Sequence, residues 1–108
     1  MAETFLYLTT TGHQSGKPHN IEIWYIEQGD CYVLCAEHGE KSDWVKNVQA
    51  NPNVMFYVVE RNSNVQPQAG TAELVTDAAG IAATAPLFDV KYKWSEGLFV
   101  RICPEPAV

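Results

Sequence analysis

The sequence predicts a small, mainly antiparallel β-barrel with two short helices, which is an architecture of the mainly β (α+β) class. Six segments rich in β-branched and aromatic residues are separated by turn residues, and two further segments have helical apolar spacing. The 108 residues suffice for a single domain, residues 1–108. Because a barrel of this size fills its interior with side chains, a ligand would lie outside the wall, where a second copy of the chain could cover it.

The six predicted strands differ in composition, and the differences suggest their places in the sheet. They cover residues 5–11, 21–26, 31–36, 54–60, 65–75 and 98–103. Turn residues at 27–30 predict that the second and third strands form a hairpin. The fourth strand is the most apolar, and we expect it in the centre of the sheet. In the fifth strand, Pro67 predicts an edge or irregular position and Gly70 a bulge.

The first predicted helix covers residues 42–51. Trp44, Val45 and Val48 form its apolar face. Ser42 or Asp43 is placed to cap its first amides, and the proline after residue 51 ends it.

The second predicted helix covers residues 77–84. Asp77 is placed to cap its first turn. Pro86 is expected to end it, because proline interrupts the helical hydrogen-bond ladder. Residues 87–94 are therefore predicted to be a connector rich in aromatic side chains.

Composition and charge exclude several classes of function. The net charge of −6 disfavours a general nucleic-acid binder, which needs an excess of lysine and arginine. No apolar run approaches the ~20 residues needed to cross a bilayer. The first residues lack the basic region and apolar core of a signal peptide. The sequence therefore predicts a cytoplasmic protein without a membrane partner.

The three cysteines are Cys31, Cys35 and Cys103. An odd number without a signal peptide argues against a disulfide framework. Cys31 and Cys35 share one predicted strand and are roughly 13 Å apart at ~3.3 Å per residue, which is too far for a bridge. We therefore expect buried core thiols.

The segment at residues 9–19 joins the first two predicted strands and is crowded with hydrogen-bond donors. The side chains that can donate to an anion are those of Thr11, His13, Ser15, Lys17 and His19. Glycines in the segment let the backbone approach a bound group closely. The segment predicts a turn that holds the phosphate of a cofactor. The alternative is an exposed polar hairpin loop.

A second segment, residues 36–44, leads from a strand to a helix N-terminus. Free amides and the helix dipole favour an anion there, and Lys41 stands just before that end. Glu40 and Asp43 could instead satisfy the same amides, which makes a self-capped surface helix the alternative. We predict that the hairpin between the two segments brings both to one edge of the barrel.

Aromatic side chains could form the walls around a flat ring system, although burial in the core is the alternative for each of them. The candidates are Trp24, Tyr25, Trp44, Tyr92 and Trp94. Tyr92 is the best candidate for a proton donor or a hydrogen bond to substrate, because lysines on both sides would favour its phenolate.

Other kinds of catalytic site lack their motifs. His13, His19 and His38 do not share the spacing of metal ligands, so no metal site is predicted. No serine or cysteine nucleophile motif is present, and no Gly-x-Gly-x-x-Gly opens a helix. Any redox chemistry would therefore use the reactive atoms of a cofactor.

Five short motifs carry a resemblance to a known family. They lie at residues 8–18, 23–26, 39–47, 50–54 and 91–98. In this order they resemble the flavin and deazaflavin oxidoreductases with the split β-barrel of pyridoxamine phosphate oxidase, and most closely the deazaflavin-dependent nitroreductases and quinone reductases. The resemblance implies a six-stranded antiparallel split β-barrel. It also implies a homodimer with one cofactor, FMN or the deazaflavin coenzyme (factor 420), at each of two interface sites.

The same resemblance implies which residues contact the cofactor. On the loop and the strand after it they are His13, Gln14, Ser15, His19, Asn20, Ile21, Glu22, Ile23 and Trp24. On two later stretches they are Cys35, Ala36, Glu37, His38, Trp44, Asn47 and Val48. Lys17 and Lys41 are the implied partners of the phosphate or polyglutamate tail. Tyr92 is the implied catalytic residue on the substrate side.

The chain departs from the family pattern at the loop. The family often has arginine or lysine where His13 and Gln14 stand, and arginine near His19. Fewer permanent charges there would weaken anion binding and make it depend on pH.

The expected function is hydride transfer from a bound flavin or deazaflavin cofactor to a small organic acceptor. One alternative is a non-catalytic carrier of a flavin-type cofactor. Another is a cofactor-free dimeric scaffold of the same fold.

Overall fold

The computed structural model describes residues 5–58, 67–92 and 97–105 of the chain. The strands are β1 (Leu6–Thr11), β2 (Pro18–Ile23), β3 (Tyr25–Gln28), β4 (Cys31–Ala36), β5 (Asn53–Val58), β6 (Gln68–Val75) and β7 (Leu98–Pro104). The helices are α1 (Asp43–Ala50) and α2 (Ala78–Tyr92), and a 3₁₀ turn at Gly39–Lys41 precedes α1. Neither helix has the length and apolar character needed to cross a membrane, as judged on these described residues.

The strands form one antiparallel sheet in the order β2-β1-β5-β6-β7-β4-β3. β2 and β3 lie at opposite ends of this order, although only Trp24 separates them in sequence. The sheet must therefore curl back until its ends lie near each other at Trp24. The predicted mainly β class and antiparallel barrel architecture are confirmed, with seven strands in place of six among the residues that the structure describes.

The prediction of one continuous second strand at residues 21–26 was wrong. Ile23 ends β2, which pairs with β1, whereas Tyr25 begins β3, which pairs with β4. The strand breaks because its two halves hydrogen-bond to different partners. The predicted hairpin with the third strand is correct for β3 and β4 alone.

The main core fills the inside of the curled sheet and is closed by the apolar face of α1. Its buried members are Leu6, Leu8, Tyr25, Leu34, Ala36, Val45, Val48, Val54, Phe56, Ala72, Val100 and Ile102. A second cluster lies between the sheet and α2 and contains Ile26, Val33, Cys35, Val75, Phe88 and Phe99. Side chains of a strand alternate between its faces, so β4 contributes to both clusters and is buried on both sides.

Helix α1 agrees with the prediction to within one residue at each end and in its apolar face. Asn51 has extended backbone dihedrals, as expected for a residue before proline. Ser42 occupies the N-cap position, but its side chain makes no capping hydrogen bond. Of the two predicted caps, Ser42 or Asp43, the serine cap is therefore wrong, and Asp43 lies in the first turn of the helix.

Helix α2 starts as predicted but extends well beyond the predicted end. The Asp77 carboxylate accepts a 2.7 Å hydrogen bond from the Gly80 N–H and caps the first turn. The helix then passes through Pro86 to Tyr92, so the predicted stop and the predicted connector at residues 87–92 were wrong. Phe88 is fully buried in the second cluster. Its burial favours continued helix and offsets the one backbone hydrogen bond that Pro86 cannot make.

Strand β6 is an interior strand, between β5 and β7, and Pro67 precedes it. Gly70 pairs in continuous register with Val54 and Pro104, so the predicted bulge is wrong. A side chain at this position would place its Cβ 2.7 Å from a ring carbon of Phe56. The glycine is thus explained by close packing. The predicted strand portions at 59–60 and 65–66 lie outside the described residues.

Cys31 and Cys103 form a disulfide, which corrects the expectation of thiols at both positions. The two residues face each other on the neighbouring strands β4 and β7, with a Cα–Cα distance of 4.4 Å. They are 72 residues apart in sequence, so only the pairing of these strands brings them together. Cys35 is a buried thiol outside this bridge, as predicted.

Candidate functional site

A cleft of about 680 Å³ opens beside the break between β2 and β3. Its lining residues are Phe5, Glu22, Ile23, Trp24, Cys35, Ala36, Glu37, His38, Ser42, Trp44 and Phe88. Four of them are aromatic. The volume is within the range of about 300–1,000 Å³ that is usual for small-molecule sites. The cleft can therefore hold a flat, mostly apolar ring system.

The cleft gathers eight of the residues that the sequence predicted for a cofactor site. These are Glu22, Ile23, Trp24, Cys35, Ala36, Glu37, His38 and Trp44. They come from the end of β2 with Trp24 after it, from the end of β4 with the turn after it, and from α1. Three separate segments of the chain thus contribute to one surface.

The wall at the strand break is built by Trp24 and supported from α2. Trp24 is 36% exposed, and its indole is stacked on the Tyr92 ring with centroids 4.6 Å apart and an interplanar angle of 1°. The Tyr92 hydroxyl donates a 2.7 Å hydrogen bond to the Tyr25 carbonyl. Tyr92 is not among the residues that line the cleft. Its catalytic role remains a prediction.

The first turn of α1 supplies a further aromatic side chain to the cleft lining. Val45 and Val48 lie in the core and fix the orientation of the helix, which leaves half-buried Trp44 at the cleft. Ser42 also lines the cleft at the helix N-cap. Because its side chain makes no cap, the first amides of α1 are not satisfied by it.

Charge in the cleft is mainly negative. Its ionisable lining groups, apart from the Cys35 thiol, are Glu22, Glu37 and His38. Glu22 is paired with Tyr7 across β1 and β2, and its carboxylate accepts a hydrogen bond that raises the pKa of the Tyr7 phenol. A ligand in this cleft would therefore be neutral or would direct its anionic part elsewhere.

A smaller depression of about 270 Å³ lies between the β1–β2 loop and α1. It is lined by Gly12, His13, Gln14, Ser15, His19, Asp43 and Asn47. The loop and the helix tip therefore lie together, as the sequence predicted. The depression offers imidazole, hydroxyl and amide donors, with Asp43 as the opposing charge.

Two residues explain how the loop is held against α1. The Asn47 side chain is buried; it accepts a 2.9 Å hydrogen bond from the His13 N–H and donates a 2.9 Å hydrogen bond to the Thr10 hydroxyl. A Cβ at Gly12 would lie 2.6 Å from the Ser15 hydroxyl and 2.7 Å from His19 Nε2. Glycine at this position therefore lets both side chains approach its own backbone closely.

The remaining predicted residues lie outside both surfaces. Lys17 and Lys41 are exposed and line neither of them. Asn20 accepts a hydrogen bond from the Thr9 hydroxyl on the exposed side of β2. Ile21 and Val48 pack in or against the main core. These five contacts remain predictions.

Sequence reasoning missed several lining residues. The sequence predicted a connector around Phe88, and only the continuation of α2 past Pro86 would have put this residue on a buried helical face. Phe5 was predicted only as a strand residue and Ser42 only as a cap, and both line the cleft instead. No local pattern distinguishes these positions from ordinary core or cap residues.

Solved structures share this fold across nearly the whole chain. A Listeria innocua protein, provisionally assigned as a pyridoxamine 5'-phosphate oxidase, matches with a TM-score of 0.74 and 18% identity over 94% of this chain and 84% of that one. An F420 reductase matches with a TM-score of 0.72 and 18% identity over 94% and 86%. The heme storage protein HutZ from Vibrio cholerae matches with a TM-score of 0.70 and 18% identity over 97% and 83%.

At these identities the structural matches show the fold alone. No curated protein matches the sequence. The sequence itself matches a family model over most of its length, in agreement with the resemblance carried by the five motifs. That model describes the F420H(2)-dependent quinone reductases and matches residues 1–92, and the chain belongs to this family.

Proposed function

We propose that the protein is a reductase that binds the deazaflavin coenzyme, factor 420, and transfers hydride to a small organic acceptor. The observation that carries the proposal is the aromatic-walled cleft of about 680 Å³. The polar depression beside it is lined from the same two elements, β2 and α1. Membership of the quinone reductase family supports the choice of coenzyme.

The residues present fit the two parts of such a coenzyme. Its flat ring matches the cleft, where Trp24 and Trp44 supply aromatic walls. Its anionic tail matches the depression, where His13, Ser15 and His19 supply donors. The carboxylates in the cleft disfavour the reverse orientation, because they would repel the tail.

The bound coenzyme would supply the hydride from its reduced central ring. The protein would position the ring between its aromatic walls and keep bulk water from that face. His38 lines the cleft and offers a ring nitrogen that can donate or accept a hydrogen bond with a bound ligand. The sequence indicated Tyr92 as a proton donor, and its position behind Trp24 favours a supporting role.

We also propose that a second copy of the chain covers the cleft. The protein would then be a homodimer, and light scattering after gel filtration should give twice the mass of one chain. We also propose a cytoplasmic location. FMN is the alternative cofactor, since its ring is equally flat and its tail carries a phosphate.

The direct experiment is a fluorescence titration of the protein with factor 420 and, separately, with FMN. We expect factor 420 to bind wild type, and Trp24→Ala to bind about tenfold more weakly, since an aromatic contact with its burial contributes about 1.4 kcal/mol or more. Met55→Ala is the matched control, because Met55 is 41% exposed and lies on β5 outside the cleft. Absence of factor 420 binding would overturn the proposal, and absence of binding of both factor 420 and FMN would favour a cofactor-free scaffold.

Turnover separates an enzyme from a carrier. Reduced factor 420 is mixed with a soluble naphthoquinone, and its reoxidation is followed by absorbance. We expect wild type and Met55→Ala to accelerate the reaction and Trp24→Ala to need more coenzyme for the same rate. Tight binding without acceleration would identify a non-catalytic carrier.

A further inference from the structure

The last turn of α2 presents three residues toward the break between β2 and β3. Phe88, Lys91 and Tyr92 are three and four positions apart, so they lie on one side of the helix. Phe88 is fully buried and is one of the residues that line the cleft. The other two reach the backbone of Tyr25, the first residue after the break.

Both the backbone N–H and the backbone carbonyl of Tyr25 are hydrogen-bonded to side chains of α2. Its N–H donates a 3.2 Å hydrogen bond to the Tyr92 hydroxyl oxygen, and its carbonyl accepts from the same hydroxyl at 2.7 Å. Lys91 Nζ donates a further 2.9 Å hydrogen bond to this carbonyl. Within the described strands β3 ends the sheet and pairs with β4, so α2 side chains here satisfy groups that another strand would otherwise bind.

The same two side chains also support the aromatic wall. The Tyr92 ring is stacked on Trp24, and its centroid lies 5.8 Å from that of Phe88. The Lys91 ammonium lies 4.3 Å from the Tyr25 ring centroid and 5.2 Å from the Tyr92 ring centroid. Such cation–π contacts help to fix aromatic rings in place. Trp24 is thus held from behind by a ring that is itself hydrogen-bonded to the next residue.

We propose that Tyr92 and Lys91 are positioning residues that hold Trp24 at the wall of the cleft and thereby set the affinity for a planar ring ligand. The inference rests on the proposed function. It assigns Tyr92 a role through Trp24, because the Tyr92 hydroxyl donates its proton to the Tyr25 carbonyl. Kinetic effects of changing Tyr92 should then appear in the coenzyme affinity and not in the rate at saturation.

Three variants separate the contributions, and a fourth is the control. Tyr92→Phe keeps the ring and removes both hydrogen bonds. Tyr92→Leu removes the stacked ring as well, and Lys91→Met removes the charge from the Tyr25 carbonyl. Val90→Ala is the control, because Val90 lies on the same turn and is 84% exposed.

The first measurement is the dissociation constant of factor 420, with KM and kcat for the naphthoquinone reaction. We expect Tyr92→Leu to weaken binding about tenfold, and Tyr92→Phe and Lys91→Met about two- to fivefold, with kcat at saturating coenzyme unchanged. A proton donor would behave differently, since Tyr92→Phe would then lower kcat and alter its pH profile while leaving the affinity intact. That result would overturn the inference.

The second measurement needs no coenzyme and keeps the inference separate from the proposed function. Acrylamide quenching and near-ultraviolet circular dichroism report the environment of Trp24, with Trp24→Phe providing the background of the other tryptophans. We expect Tyr92→Leu to increase quenching of the Trp24 signal and to reduce its dichroism, whereas Val90→Ala matches wild type. Identical Trp24 signals in all variants would overturn the inference even if wild type binds factor 420. If wild type binds no coenzyme, the proposed function fails while this measurement still decides whether α2 positions Trp24.

Discussion

The side-chain amide of Asn47 donates a 2.9 Å hydrogen bond to the hydroxyl of Thr10, and both residues are buried where α1 meets β1. The amide oxygen of the same residue accepts from the His13 N–H. One side chain therefore joins the helix, the first strand and the loop that lines the polar depression. Asn47 therefore contributes both to the stability of the fold and to the position of the loop.

Replacing Asn47 by leucine tests this relationship. We expect Asn47→Leu to lower the free energy of unfolding by about 1–3 kcal/mol, because the buried Thr10 hydroxyl and the His13 N–H both lose their partner. Urea unfolding followed by circular dichroism measures the change. Gln49→Leu, on the exposed side of the same helix, is the control. Equal stability of the two variants would contradict the role of Asn47.

Gly70 should be intolerant of a side chain because of Phe56. We expect Gly70→Ala to lower the free energy of unfolding by about 1–3 kcal/mol, which is typical of an overpacked core. Thr71→Ala, exposed on the same strand, serves as the control. In a Phe56→Leu background the loss caused by Gly70→Ala should be smaller, since the ring carbons 2.7 and 3.1 Å from the added Cβ are gone. An unchanged loss would mean that the Phe56 ring is not the obstacle.

The Cys31–Cys103 disulfide can be tested by counting the free thiols of the chain. Thiol titration of denatured protein purified without reductant should find one reactive thiol per chain, that of Cys35, and three after reduction. Reduction should lower the free energy of unfolding by about 2–4 kcal/mol, because the bridge restricts a long segment of the unfolded chain. Three thiols without reductant would contradict the bridge. Alkylation inside cells also tests the proposed location, since a reducing cytoplasm disfavours disulfides.

Cys35 should make stability depend on alkaline pH. Burial raises the pKa of its thiol from 9.0 to about 11, so the folded state holds the proton more tightly than the unfolded state. The resulting stabilisation is fully present below pH 9 and is lost as the pH rises toward 11. Wild type should therefore lose more unfolding free energy over this interval than Cys35→Ala. Parallel losses in urea titrations at both pH values would argue against a protonated buried thiol.

Lys17 is predicted to contribute to binding of the coenzyme tail although its side chain is exposed. We expect Lys17→Ala to weaken factor 420 binding by roughly 1.5–3 kcal/mol, the range for hydrogen bonds to charged groups. Lys46→Ala removes the same charge from the exposed side of α1 and corrects for general electrostatics. Fluorescence titration compares the two. If both variants bind equally well, Lys17 does not contact the tail.

The sequence predicted the strands and α1 because their signals are local. The apolar face of α1 and the turn between β3 and β4 each depend on residues that are neighbours along the chain. The division between β2 and β3 at Trp24 has no such local signal, because residues 21–26 form a continuous run of residues typical of a strand. Only the different partners of β2 and β3 divide it.

Other features depended on contacts between distant residues. Pro86 marked a helix end by local rules, but burial of Phe88 against β4 and β7 outweighed them. Predicting the Cys31–Cys103 bridge would have required knowing that β4 and β7 are neighbours in the sheet. The candidate site shows the same division: the family resemblance indicated the stretches in the cleft, whereas Phe5, Ser42 and Phe88 were revealed only by the three-dimensional arrangement.

Strand order has a consequence for how the chain acquires its shape during synthesis. Apart from the joint at Trp24, β7 is the strand that links the group β2-β1-β5-β6 to the group β4-β3. It is also the last of these strands to leave the ribosome. The nascent chain can form its early hairpins. The two groups of strands cannot be joined into one sheet until residues 98–104 emerge and β7 can pair with both β6 and β4. The cleft of about 680 Å³, which takes lining residues from both groups, would therefore be completed only after residues 98–104 have emerged.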